Sequence, residues 1–183
     1  MKVYKEIMGK VGYRSDQLFE LIKELSKNGV NFVVCGGIAC VLHGIERTTY
    51  DLDLSVDLDA ENLKKVIKIA GKFDLKPRIP EPVENLLDEK KRREWVDKKG
   101  ALVYTFTSST GPLQLDIFLK YLKPHKDLLK NSNKMKIENL EIYVTSKEDL
   151  LAAKKLITPL RDKDVIDINE LEIMIKKEKE SGS

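Results

Sequence analysis

The chain has 183 residues, 42% apolar and 34% charged, with 33 basic and 30 acidic side chains and a net charge of +3. That length suits one compact domain with a sizeable core, and so balanced a charge does not by itself announce a protein that grips nucleic acid. No apolar run reaches the length of a membrane span or of a secretory leader, so the expectation is a cytoplasmic protein without membrane contact.

In chain order, Ser15 is placed to cap a helix whose apolar positions Leu18, Ile22 and Leu25 recur at helical spacing, and Lys27-Asn28-Gly29 is a stop signal. "NFVVC" reads as a short buried strand. Gly36-Gly37 then turns into the apolar segment "IACVLHG", a short buried helix ended by Gly44. Cys35 and Cys40, five apart in apolar sequence, form neither a metal knuckle nor a disulfide framework and are expected as buried reduced thiols. Residues 49–56 alternate, with Leu52, Leu54 and Val56 on one face and Asp51, Asp53 and Ser55 on the other. Asp59 is expected to cap the next helix, with Leu63, Val66, Ile67 and Ala70 as its stripe.

Residues 75–100 change character. Pro77, Pro80 and Pro82 interrupt regular structure, and a charged helix is expected over 83–95, together an insertion or lid. "ALVYTFT" and "LQLDIFL" predict two antiparallel strands joined through "SSTGP", and "KIENLEIYV" a small hairpin. Ser146 with Asp149 opens a helix that Pro159 closes. A last helix over about 163–176 carries Val165, Ile168, Leu171 and Ile175 on one face, and the tail "KKEKESGS" should fray. The whole of 1–183 reads as a single domain, with a core over about 14–145 and a helical part over about 146–178.

Asp51 and Asp53 share a strand face about 7 Å apart. Two carboxylates so close, flanked by leucines, either stand on a wet strand face or hold a cation; oxygen-only ligands favour Mg²⁺ or Mn²⁺. Asp116 interrupts the apolar strand "LQLDIFL". If that strand lies beside the first, three carboxylates converge, an arrangement suited to two metal ions and in-line displacement at phosphorus. A strand running into Gly36-Gly37 and a helix is either a plain tight turn or a place where phosphates approach the main chain without a Cβ clash.

Together, "CGGIACVLHGIERTTYDLDLSV" and "LQLDIFL" resemble the DNA polymerase beta-type nucleotidyltransferase superfamily, in which a Gly-Gly or Gly-Ser turn precedes an Asp-x-Asp strand and a later third carboxylate. The Arg-x-Thr-x-Asp-x-Asp string, Arg47 to Asp53, looks closest to the nucleotidyltransferases similar to abortive-infection toxins. So does the later block containing Lys154, Arg161, Lys163, Asp164 and Asp167. The likeness covers about 33–171, with 75–100 unmatched. It implies an α+β fold, a mixed sheet with packed helices and a C-terminal helical extension. It implies Mg²⁺- or Mn²⁺-dependent transfer of a nucleoside monophosphate from a nucleoside triphosphate to RNA, a protein or a small molecule. Asp51, Asp53 and Asp116 would be the catalytic metal ligands. Gly36 and Gly37 would cradle phosphates, Arg47 and Lys154 would neutralise the leaving pyrophosphate, and Thr49 would orient Asp51 or a backbone group.

The resemblance leaves open a toxin held by an antitoxin partner, and also a non-catalytic nucleotide-binding module. His43 is expected to be structural. "EKKRREW" reads as a solvated helix face or as a basic patch with Trp95 as a stacking surface. Asp164 and Asp167 read as a local ion-pair network with Arg161 and Lys163.

Overall fold

The computed structural model describes residues 15–137 and 139–181. Residue 14, where the core was expected to begin, and the last two residues of the tail lie outside this range. The first helix, α1 (Ser15–Lys27), buries Leu18, Leu21, Ile22 and Leu25. It ends in a Schellman turn: Gly29 has φ +62, and the N–H groups of Gly29 and Val30 return to the carbonyls of Ser26 and Leu25 at 3.0 and 3.1 Å. Strand β1 (Phe32–Val34) leads into α2 (Gly36–Leu42), and β2 (Asp51–Val56) into α3 (Ala60–Lys72). Asp59 caps α3 by accepting the Asn62 N–H at 2.9 Å. The stripe of α3 runs through Leu63, Val66, Ile69 and Ala70, so Ile69 takes the fully buried place expected of Ile67, which packs only partly.

The 75–100 segment is not a lid. Leu75–Pro77 forms β3, which pairs antiparallel with β4 (Val103–Ser108) as an edge strand, where a proline costs no ladder bond. A 3-10 turn (Val83–Leu87) and α4 (Glu89–Lys99) follow, with Asp88 as N-cap and Gly100 at φ +63 as the left-handed stop. Leu86 and Trp95 are buried in the main core, and the Trp95 and Tyr104 rings lie 5.5 Å apart. The segment is apolar where Leu86 and Trp95 enter the core, and apart from the buried Arg92 its charge lies on the outer side.

Strand β5 (Gln114–Phe118) returns antiparallel to β4 through the expected turn. A short helix not expected from the sequence, α5 (His125–Asn131), precedes the hairpin β6 (Asn133–Ile137) and β7 (Leu140–Val144). Ser146 caps α6 (Lys147–Lys155), and α7 (Asp162–Ser181) closes the described chain. Helix α7 extends through most of the tail expected to fray. No helix among the described residues is long and apolar enough to cross a membrane.

The fold is α+β around one mixed seven-stranded sheet of order β3-β4-β5-β2-β1-β7-β6. Strands β2 and β5 run parallel, as do β1 and β7; the other neighbours are antiparallel. One face, carrying Leu52, Leu54, Leu115 and Ile117, is buried under α1 and α3. The other carries Val33 and Tyr143 under α5 at one end and opens into a cleft at the other.

Asn62 ties three backbone groups of different elements together. Its amide oxygen accepts the Asn31 N–H at 2.8 Å, and its NH₂ donates to the carbonyls of Asn31 at 3.0 Å and Asp57 at 2.8 Å. Asn62→Ala should remove these part-buried bonds and destabilise the fold by about 1–3 kcal/mol in urea unfolding. A loss indistinguishable from zero would mean that water replaces the amide at no cost.

Candidate active site

The register of the central strands builds the site. Leu52 and Leu54 of β2, with Leu115 and Ile117 of β5, are fully buried on the core face. Alternation therefore puts Asp51, Asp53, Gln114 and Asp116 on the opposite face. The parallel register sets Asp53 directly beside Asp116, and Asp51 beside Gln114. All four line the cleft, whose volume is about 860 Å³.

The Gly-Gly turn is shaped by Asp53. Gly36 has φ +58, and a Cβ there would overlap the Asp53 carboxylate, so only glycine fits on both counts. Gly37 lies against Arg47 and Thr49; a Cβ would come within 3.0 Å of each. The Cys35 N–H donates to the Asp53 carbonyl at 2.8 Å, and the Gly37 N–H is directed at the Asp53 carboxylate. Both cysteines are free and buried, as expected, and burial pushes each thiol up to about 12.

Burial raises the Asp53 carboxyl to about 6, and the neighbouring charges of Asp116 and Asp51 add to the rise against the Gly37 N–H and Lys154. Asp116 accepts from the Gln114 amide at 2.7 Å through one oxygen; its other oxygen is buried without a partner. Gln114 is itself held by Arg78. Two adjacent acids, one with an orphaned oxygen and one whose charge is opposed by burial and by its neighbour, fit a divalent cation between them. Among the described residues no three His, Cys, Asp or Glu side chains already form a ligand cage, and Asp51 stands one strand step away from the pair.

Arg47 and Lys154 line the cleft but are anchored behind it. Arg47 pairs with Asp167, and Lys154 bridges Asp164 at 2.9 Å and Asp167 at 2.7 Å. Arg161 adds a bond to Asp164 at 2.6 Å. Asp164 and Asp167 are 0% and 1% exposed, so this is a buried network between α7, α6 and the approach to β2, and Lys163 has no part in it. Burial opposes the charge on Asp164, yet the Arg161 and Lys154 bonds hold its carboxyl far below the usual range. Burial likewise opposes the charge of Lys154, and the two aspartates override it. The signal was in the sequence: Asp164, Asp167, Leu171 and Ile175 share one helical face, and Val165, expected there, is exposed.

His43 is structural: its ring meets the Thr145 carbonyl at 2.8 Å, and burial lowers its pKa. The basic run gives no stacking platform. Trp95 is 3% exposed, and Arg92 is buried, donating to the Leu86 carbonyl at 2.6 Å and the Leu58 carbonyl at 3.0 Å. What the sequence did not disclose is the cleft's apolar side, with Leu102, Phe118, Leu156 and Ile157.

No protein-family model matches the chain, and neither does any curated protein sequence. Solved structures do. The lincosamide antibiotic adenylyltransferase LnuA, solved with lincomycin bound, is similar at a TM-score of 0.57 and 18% identity over 86% of this chain and 95% of that one. The antibiotic-resistance factor ANT(2'')-Ia is similar at a TM-score of 0.58 and 11% identity over 90% of this chain and 85% of that one. At these identities the likeness is one of fold: the chain has the architecture of nucleotidyltransferases.

Proposed function

We propose that this chain transfers a nucleoside monophosphate from a nucleoside triphosphate, with Mg²⁺ or Mn²⁺, to a hydroxyl acceptor. The observation that carries the reading is Asp53 beside Asp116 in parallel register on the wall of a cleft, one carboxyl raised and the other with an orphaned oxygen. Asp53 and Asp116 would hold the cation, with Asp51 completing the set. When bound there, divalent cations supply Lewis-acid stabilisation of the phosphoryl oxygens and lower the pKa of the attacking hydroxyl. Gly36 and Gly37 line the cleft, and their missing Cβ atoms let Asp53, Arg47 and Thr49 close against the turn, whose main chain would face the phosphates. Arg47 and Lys154, fixed by Asp164 and Asp167, keep positive charge at a set place near the transferred phosphate, and Thr49 orients the turn.

The closer placement beside abortive-infection toxins rests on the Arg47-to-Asp53 string and the Lys154-to-Asp167 block. A toxin role, with an antitoxin partner and an RNA acceptor, is that resemblance carried to this chain. A non-catalytic nucleotide-binding module is the second reading, favoured by the absence of a ready three-ligand cage among the described residues.

The test mixes the chain, Mn²⁺ and labelled triphosphates with a cell extract and follows the label. Asp53→Asn and Asp116→Asn should each lower transfer at least about a hundredfold while the fold is kept. Triphosphate binding without transfer in any extract would select the binding module instead.

The raised Asp53 carboxyl also predicts a pH effect on the metal-free chain. A folded value near 6, against an ordinary 3.8, means that the folded state keeps a proton the unfolded state has lost. Stability from this group therefore falls as pH rises from about 4 to 6 and stays low above. Asp53→Asn removes the penalty, so it should be near neutral at pH 4 and stabilising by about 1–3 kcal/mol at pH 8 in thermal unfolding. Equal effects at the two pH values would show that Asp53 is not strained by charge.

A further inference from the structure

We propose that the acceptor is a small, neutral, amphipathic alcohol whose apolar part rests on the apolar lining of the cleft, Leu102, Phe118, Leu156 and Ile157; this rests on the nucleotidyl-transfer reading above. Leu102 and Leu156 are 51% and 69% exposed, yet both line the cleft that holds the carboxylates. Large apolar side chains left open to water at a polar site mark a surface meant to be covered.

The wall lies on the acceptor's side of the chemistry. Phe118 is two residues beyond Asp116 on β5 and shares its face, about 7 Å along the strand. Val103 pairs with Phe118, and the Leu102 carbonyl accepts the Leu119 and Lys120 N–H groups at 2.9 and 3.2 Å, which fixes Leu102 at the end of the same wall. The Tyr121 ring stands 4.3 Å from that of Phe118 and holds it in place. A compound lying on Leu102 and Phe118 presents a hydroxyl to Asp116. Leu156 and Ile157, at the end of α6, add further apolar lining to the same cleft.

The charges of the cleft argue against a long charged acceptor. Arg47, Lys154 and Arg161 pair with Asp164 and Asp167, which fixes them at the reaction centre and leaves them no freedom to track a long chain. Among the described residues lining the cleft, the unpaired cations are Lys120 and Lys163, which a triphosphate tail suffices to occupy. A long polyanion needs a row of free cations. The basic helix α4 does not supply one: it does not line the cleft, and Arg93, Lys98 and Lys99 pair with Glu89, Glu94 and Glu81. A polycation finds no free acid there beyond the three carboxylates at the reaction centre.

Octyl β-D-glucoside below its micellar concentration is the probe, with methyl β-D-glucoside and total RNA as its counterparts. Calorimetry is run on the full chain with Mn²⁺ and the α,β-methylene analogues of ATP, GTP, CTP and UTP. Octyl glucoside should bind at least about tenfold more tightly than methyl glucoside. Leu102→Lys and Leu156→Lys should each weaken it about tenfold. Ile173→Lys, an exposed apolar position on α7 that does not line the cleft, should leave it unchanged, and triphosphate binding should be equal in all four proteins. Unchanged octyl glucoside binding in the cleft variants overturns the inference. So does loss of triphosphate binding in them, which would make the wall a nucleobase seat, and so does RNA binding tightly to the triphosphate-loaded cleft. A wild-type chain that binds no triphosphate would sink the proposed activity and the acceptor role with it, whereas triphosphate binding with no preference for octyl glucoside would overturn this inference alone.

Discussion

The parallel pairing of β2 with β5 is the constraint on which the site depends. Four fully buried side chains, Leu52 and Leu54 on one strand and Leu115 and Ile117 on the other, lock it from the core side. A slip of one residue would turn apolar side chains into the cleft and acids into the core, which the buried face forbids. The meeting of Asp53 and Asp116 is therefore a by-product of core packing. No attraction between the two acids brings them together; their mutual repulsion is held in place by apolar burial on the far side of the sheet.

The charges behind the cleft answer a different problem. Asp164 and Asp167 lose their hydration on burial, and only a close set of cations makes that tolerable. Lys154 and Arg47 come from distant parts of the chain to meet them, so the network fixes α7 relative to α6 and to the turn before β2. The same arrangement removes most free positive charge from the cleft wall. Lys154 still lowers the Asp53 carboxyl from a distance, though less than burial and Asp116 raise it. The cleft thus holds three acids, an apolar lining and a buried ionic network behind it.

Much of this was legible in the sequence. Alternation in "DLDLSV" and "LQLDIFL" assigned faces correctly, because strand periodicity depends only on which side chains seek the core. Capping by Asp59 and Ser146 and the stop at Gly29 were equally local. The 75–100 segment misled because its charge and prolines describe its outer surface, while Leu86 and Trp95, few and widely spaced, make the buried contact. Asp164 and Asp167 were read as a local ion-pair network with Arg161 and Lys163; Arg161 does pair with Asp164, while Lys154 and Arg47, the partners that make burial tolerable, lie outside that local stretch.

The sequence by itself determined the strand faces, the helix ends, the glycine turn and the family resemblance, since each is written in residues close together along the chain. Only the tertiary structure decided that Asp53 and Asp116 are neighbours, that Arg47 and Lys154 are tied from behind, and that Leu102 and Leu156 line the same cleft. Those are contacts between segments far apart in sequence, and their geometry is set by how the sheet packs against its helices, which no local pattern encodes.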